Sequence, residues 1–174
     1  MKQNKKQIRK IAVLSLMIAI IVIFSHFIAI ETEAMKFSFT FIPEAILGAL
    51  FGPLWSMIAA VIADFLGMWL APKASFFFGF TLNAAITGLI YGYFCRKRPT
   101  DWKFLLMAVL SNAIIVHLML TPLWLHLMYG LPFWAQIAPR LLKEMISIPL
   151  QVFILTFIMK RLPWKKMRQI IGES

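Results

Sequence analysis

The chain has 174 residues, 61% of them hydrophobic and 14% charged, with a net charge of +11 and a mean hydropathy of +0.81. Soluble domains run near half apolar and a quarter charged, so a water-soluble globule and a disordered chain are both excluded. One cysteine, Cys95, excludes an intramolecular disulfide, and basic residues grouped in blocks between apolar runs mark membrane topology rather than nucleic-acid binding.

Crossing about 30 Å of hydrocarbon takes about 20 helical residues. The first apolar run, 11–30, is long enough. Glu31-Thr-Glu-Ala-Met follows it rather than a small-residue cleavage site, so it is expected to be a retained helix and not a signal peptide. The second, 39–51, is short for a crossing and ends at Gly52-Pro53. It must be tilted, broken or covered by neighbours. The third covers 53–71, the fourth 76–94, the fifth 102–129 and the sixth 133–160. The last two exceed one bilayer thickness, and Pro122, Pro139 and Pro149 inside them invite kinks. The expected fold is an all-α membrane protein, a six-transmembrane-helix bundle forming one domain over 1–174. Lys2, Lys5, Lys6, Arg9, Lys10, Arg96, Lys97, Arg98, Lys103, Lys160, Arg161, Lys165, Lys166 and Arg168 then share one face, whereas only Lys36 and Lys73 lie in the opposite loops. The positive-inside rule places both termini in the cytoplasm.

A charge within a membrane costs about 2.5–3.5 kcal/mol on insertion scales, so each one calls for a reason. Counted from the outer helix ends, Glu44, Asp64, Asn83, Thr121 and Arg140 all fall about 9–12 Å below the outer surface at about 1.5 Å per residue. Polar groups from five helices therefore meet in one layer. Arg140, Lys143, Glu144, Ser147 and Gln151 fall on one helical stripe that must face the bundle interior. An Arg140–Glu144 pair either closes the bundle or lines a site. Asp64 is either a ligand group or a partner for Lys143 or Arg140. Glu44, just after Pro43, either caps a helix start or binds. His26, His117 and His126 share no metal-ligand spacing and read as satisfied core or interfacial histidines.

Trp69, Phe76, Phe77, Phe78, Phe80, Trp124, Phe133 and Trp134 crowd the outer region. Phe133 and Trp134 fit an interfacial belt. The cluster from Phe76 to Phe80, beside convergent polar groups, fits a flat heteroaromatic ligand. Small residues recur at four-residue spacing in Ala45/Ala49, Gly48/Gly52, Ala59/Ala63/Gly67 and Ala84/Gly88/Gly92, where close helix packing is expected. Ala12, Ser15 and Ala19 form a similar patch on the first helix, open to packing or to an external helix. G-x-x-x-x-G-K-[ST], H-E-x-x-H and G-x-S-x-G are all missing, so nothing points to an enzyme or to a built-in motor.

The chain resembles the substrate-binding (S) components of energy-coupling factor vitamin transporters over nearly its whole length, and most resembles the folate-specific members. The resemblance rests on Phe76-Phe-Phe-Gly-Phe-Thr-Leu-Asn-Ala-Ala-Ile-Thr-Gly-Leu-Ile-Tyr-Gly, on Leu120-Thr-Pro-Leu-Trp-Leu, on Leu131-Pro-Phe-Trp-Ala and on Pro139-Arg-Leu-Leu-Lys. Leu50-Phe-Gly-Pro-Leu-Trp fits too, although that turn is shared across several vitamin specificities. Phe78 stands where the folate motif often has Pro. The resemblance implies a partner coupling protein in the membrane and two cytoplasmic ATPases that use the ATP, with no cofactor or metal in this chain. It also implies docking onto coupling helices through Ala12, Ser15 and Ala19. Folate would be captured outside, with the lipid bilayer as surroundings and the cell membrane as location. Asp64 or Glu144 would accept from the pterin amino group and ring N–H, with Asn83 and Thr121 completing the edge. Trp69, Phe77, Phe80 or Trp124 would stack on the rings. Arg140 or Lys143 would hold a carboxylate or the pterin carbonyl, and Lys36 and Lys73 would meet the glutamate tail. The loops Glu31–Phe37 and Pro72–Ser75 would act as lids. The alternatives are an S component for thiamine or riboflavin, a membrane enzyme acting on lipid or isoprenoid, and a self-sufficient channel or carrier.

Overall fold

A computed structural model describes residues 2–28, 30–31, 36–70 and 77–172. Helix α1 spans Lys2–Val22 and continues as a π-helical turn, Ile23–Phe27. Two short strands, β1 (Ile30–Glu31) and β2 (Lys36–Phe37), pair antiparallel. Then come α2 (Phe41–Phe51), α3 (Pro53–Leu70), α4 (Phe78–Lys97) and α5 (Trp102–Asn112). A π-helical segment, Ala113–Leu120, joins α5 to α6 (Thr121–Tyr129); α7 (Phe133–Arg161) and α8 (Trp164–Ile170) follow. Among the described residues, five stretches are long and apolar enough to cross a membrane: Lys6–Ser25, Pro53–Leu70, Phe78–Lys97, Trp102–Tyr129 and Phe133–Arg161.

The sequence led us to expect six spans; the second of them is shorter than the others. At 11 residues, α2 is about 16 Å long at about 1.5 Å per residue and cannot cross the hydrocarbon alone. Its burial explains how it survives. Phe41, Ala45 and Ala49 pack with Tyr91, Cys95, Leu105, Val109, Leu155 and Met159, while Leu47, Leu50 and Phe51 pack with Ile18, Ile21, Val22, Ala59, Ala63 and Ile171. A helix apolar all round belongs in the core, and α2 is the wedge between two clusters. Its end is sharp: Gly52 adopts φ +79 and Pro53 opens α3, the usual order of a glycine stop and a proline start. Arg96 donates to the Leu50 carbonyl, and Arg168 donates to the carbonyls of Ala49 (3.4 Å) and Arg96 (3.1 Å). Two cations thus satisfy orphan acceptors at the negative end of α2.

The small-residue stripes of α2, α3 and α4 pack inside the bundle. A Cβ at Gly88 would lie 2.5 Å from the Ser56 carbonyl oxygen, one at Gly92 would strike Pro53, and one at Gly48 would lie 2.7 Å from the Tyr91 carbonyl. Backbones touch at these points, which only glycine allows. By contrast Ala12, Ser15 and Ala19 of α1 are all exposed. A cavity of about 310 Å³ between Pro53, Leu89, Ile90, Tyr93 and Phe94 lies toward the basic ends of these helices and is lined by none of the expected site residues.

Candidate functional site

α3 and α4 run antiparallel, joined through the 71–76 segment. This brings the last turns of α3 level with the first turns of α4. Thr81 Oγ1 donates to Asp64 Oδ2 at 2.7 Å. Asp64 is therefore held by Thr81 of α4, a partner that neither expected reading named.

Two residues further along α4, Asn83 is 8% exposed. Its Nδ2 donates to Thr121 Oγ1 at 3.1 Å, and its Oδ1 accepts from Trp124 Nε1 at 3.0 Å. Thr121 Oγ1 donates in turn to the Val116 carbonyl at 2.7 Å. One amide thus ties α4 to α6 and fixes the plane of the Trp124 indole. The aromatic wall builds on this junction: Phe77 lies 5.7 Å from Trp124 and 6.1 Å from Phe80, centroid to centroid. Gly79 is what lets Trp124 approach, since a Cβ there would fall 2.6 Å from Trp124 Cδ2 and overlap Phe77. Three of the expected aromatic residues are therefore linked to one another, and through Trp124 to Asn83 and Thr121. Trp69, at the last turn of α3, is 80% exposed. The side chain of Lys36, and Lys73 altogether, lie outside the described residues.

Deeper lies a second polar group. Gln136, Arg140 and Glu144 recur every four residues on α7 and are all buried, with Lys143 half-buried beside them. The predicted stripe is thus interior, and it extends one turn further toward the outer end, to Gln136. Gln136 Nε2 reaches the carbonyls of Pro122, Leu131 and Pro132 at 3.3–3.5 Å. Glu144 Oε1 sits 2.8 Å from His117 Nδ1 and 3.4 Å from Lys143 Nζ. An ionised carboxylate only accepts, so the groups suited to face it are the Lys143 ammonium and a His117 Nδ1–H. Thr87 Oγ1 donates to Asn112 Oδ1 at 2.9 Å, a buried bond between α4 and α5.

His117 is the residue that sequence spacing missed. Its spacing from the other histidines suits no metal, and it reads as a core histidine until its partner on α7 is seen. The signal was Pro122. Proline removes an N–H and crowds the carbonyl four residues back. The chain upstream widens, and the Thr121 N–H bonds to the Val116 carbonyl five residues back. This π-helical stretch carries His117, and such widened turns recur at functional sites. His126, by contrast, is exposed and bonds the Leu131 carbonyl at 2.8 Å, as an interfacial histidine would. The His26 side chain lies outside the described residues.

The arrangement offers a rigid aromatic wall, an amide junction and a buried acid flanked by cations, all drawn from helices α3 to α7. No group of three metal-ligating side chains occurs among the described residues. The sequence profile described as ECF transporter, substrate-specific component, matches residues 9–159. The folate transporter FolT of Clostridium novyi (strain NT) is 33% identical over 150 residues, covering 86% of this chain and 87% of that protein. FolT of Leuconostoc mesenteroides subsp. mesenteroides is 33% identical over 162 residues, covering 89% and 86%. Among solved structures, a crystal structure of FolT bound with folic acid matches with a TM-score of 0.83 at 45% identity, covering 87% of this chain and 93% of that chain. The S component for biotin from an ECF-type ABC transporter matches with a TM-score of 0.66 over 94% of this chain and 97% of its own, at 17% identity, a likeness of fold alone.

Proposed function

The chain belongs to the substrate-specific components of ECF transporters, and we propose that it is the subunit that captures folate at the outer face of the cell membrane. The observation that carries this reading is the junction of Asn83, Thr121 and Trp124 behind Phe77, in a chain 45% identical to a FolT with folic acid bound. A planar pterin needs an aromatic surface to stack on and in-plane polar groups to fix its edge. Phe77, Phe80 and Trp124 supply the surface, and Asn83 with Thr121 supplies polar groups at its margin. Arg140, Lys143 and Glu144 complete the interior polar set, with Asp64 and Glu44 on the neighbouring helices. In this reading the outer-loop residues Lys36 and Lys73 meet the anionic glutamate tail, and Trp69 is a further stacking group.

In the same proposal α2 makes up a sixth crossing, both termini are cytoplasmic, and the whole of 1–174 acts as one domain. Nothing in the chain is suited to drive uptake, so the energy comes from a membrane coupling protein and two cytoplasmic ATPases that hydrolyse ATP, and the chain itself needs no cofactor. The exposed patch of Ala12, Ser15 and Ala19 is the surface on which a coupling helix packs, because small residues allow backbones to approach within a bilayer. Calorimetric titration of the purified chain with folate, thiamine and riboflavin tests the reading. Tight binding of folate alone is the expected result; tight binding of another vitamin with none of folate overturns the specificity.

A further inference from the structure

The two acids nearest the interior are not equivalent. Asp64 is half-buried and already accepts from Thr81 at 2.7 Å. Glu144 is 3% exposed. Its Oε1 is held by His117 on the π-helical segment and by Lys143, while its Oε2 is buried with no hydrogen-bond partner among the described residues. The Tyr91 hydroxyl, reaching in from α4, is likewise buried and unpartnered among them. A protein rarely leaves a buried carboxylate oxygen without a donor, and such an atom implies a donor from outside the chain. His117 and Lys143 aim and neutralise the acid through one oxygen and leave the other for that donor.

We infer that Glu144 Oε2 is the acceptor for an N–H of the 2-amino-4-oxopyrimidine edge of the ligand, and that His117 is a positioning residue that sets the Glu144 carboxylate for it. The inference rests on the folate reading and makes it directional. The anionic glutamate tail cannot point at a buried carboxylate, so the pterin enters first and the tail stays toward the outer loops. Of the two acids, Glu144 and not Asp64 discriminates the pterin edge.

The test compares folate with 2-desamino-2-methylfolate, which lacks the amino donor, by calorimetry on the wild type, Glu144→Gln, His117→Ala, His117→Gln and Asp64→Asn. Thermal melting confirms that each variant is folded. A hydrogen bond to a charged group gives about tenfold to a hundredfold preference for folate in the wild type. Glu144→Gln and His117→Ala bring the two ligands toward parity. His117→Gln, which keeps an N–H donor, recovers much of the preference, and Asp64→Asn weakens both ligands in the same proportion, so that the ratio between them stands. If His117→Ala weakens both ligands equally and the preference stands, His117 is only structural and the inference is overturned while the folate reading stands. If the wild type binds neither ligand, the folate reading fails and takes the inference with it.

Discussion

Replacing Asn83 by alanine, alone and together with Trp124→Phe, probes the junction that holds the aromatic wall. Asn83 is 8% exposed and serves both neighbours, donating to Thr121 and accepting from Trp124. Removal does not orphan Thr121, whose hydroxyl still donates to the Val116 carbonyl. It does orphan the indole N–H of Trp124, a half-buried donor. Leaving such a donor unpaired costs about 1–3 kcal/mol, with the low end fitting its partial burial. Phe at position 124 keeps an aromatic body and has no N–H to orphan. The double variant should therefore lose less than the sum of the single ones, by about 0.5–1.5 kcal/mol. Folate titrations and thermal melts on the four proteins measure this. Because an untethered Trp124 no longer presents a fixed ring plane, Asn83→Ala should also weaken folate binding by about tenfold, which corresponds to about 1.4 kcal/mol. Additivity within about 0.3–0.5 kcal/mol, together with unchanged folate affinity, would refute the idea that this amide organises the site.

Arg140 is 6% exposed on the interior stripe, and Arg140→Ala should weaken folate binding by about tenfold to a hundredfold with the fold retained; calorimetry showing the wild-type affinity would remove it from the site. Ala19→Trp places bulk on the exposed face of α1 and should abolish ATP-driven uptake in vesicles containing the whole transporter while leaving folate affinity in detergent unchanged; parallel loss of both would show that the patch is not a docking surface. Gly88→Leu drives a side chain into the Ser56 backbone and should destabilise by at least about 1–3 kcal/mol, read as a lowered melting temperature; an unchanged melt would mean that α3 and α4 are not so closely apposed.

Helix positions were legible from apolar runs because a membrane span must bury nearly every side chain in apolar surroundings. Boundaries were less so. α1 begins at Lys2 rather than near Ile11, since Lys, Gln and Arg are good helix formers and nothing in that tail breaks a helix. Its outer end widens into a π-helical turn at Ile23–Phe27, for which no proline gave a cue. The ends of the lid loop expected over Glu31–Phe37 take part in a small antiparallel pairing, Ile30 with Phe37 and Glu31 with Lys36, too short to leave an alternating pattern. Counting depth put Glu44, Asp64, Asn83, Thr121 and Arg140 in one layer with Glu144 just below it; Asn83, Arg140 and Glu144 are buried, and Glu44, Asp64 and Thr121 are half-buried. Pairing was not legible in this way, because it depends on how helices rotate about each other. Thr81 as the partner of Asp64, and His117 as the partner of Glu144, follow from helix register. The π-helical segment before Pro122 changes the rotation that a regular helix would give.

The most direct measurement is a crystal structure of this chain grown with folate. The account predicts the pterin stacked within van der Waals reach of Phe77 and Trp124, with its edge toward Asn83 and Glu144 and its glutamate toward the outer loops. Folate bound elsewhere on the chain, or Asn83, Arg140 and Glu144 closed on one another with no ligand between them, would contradict it.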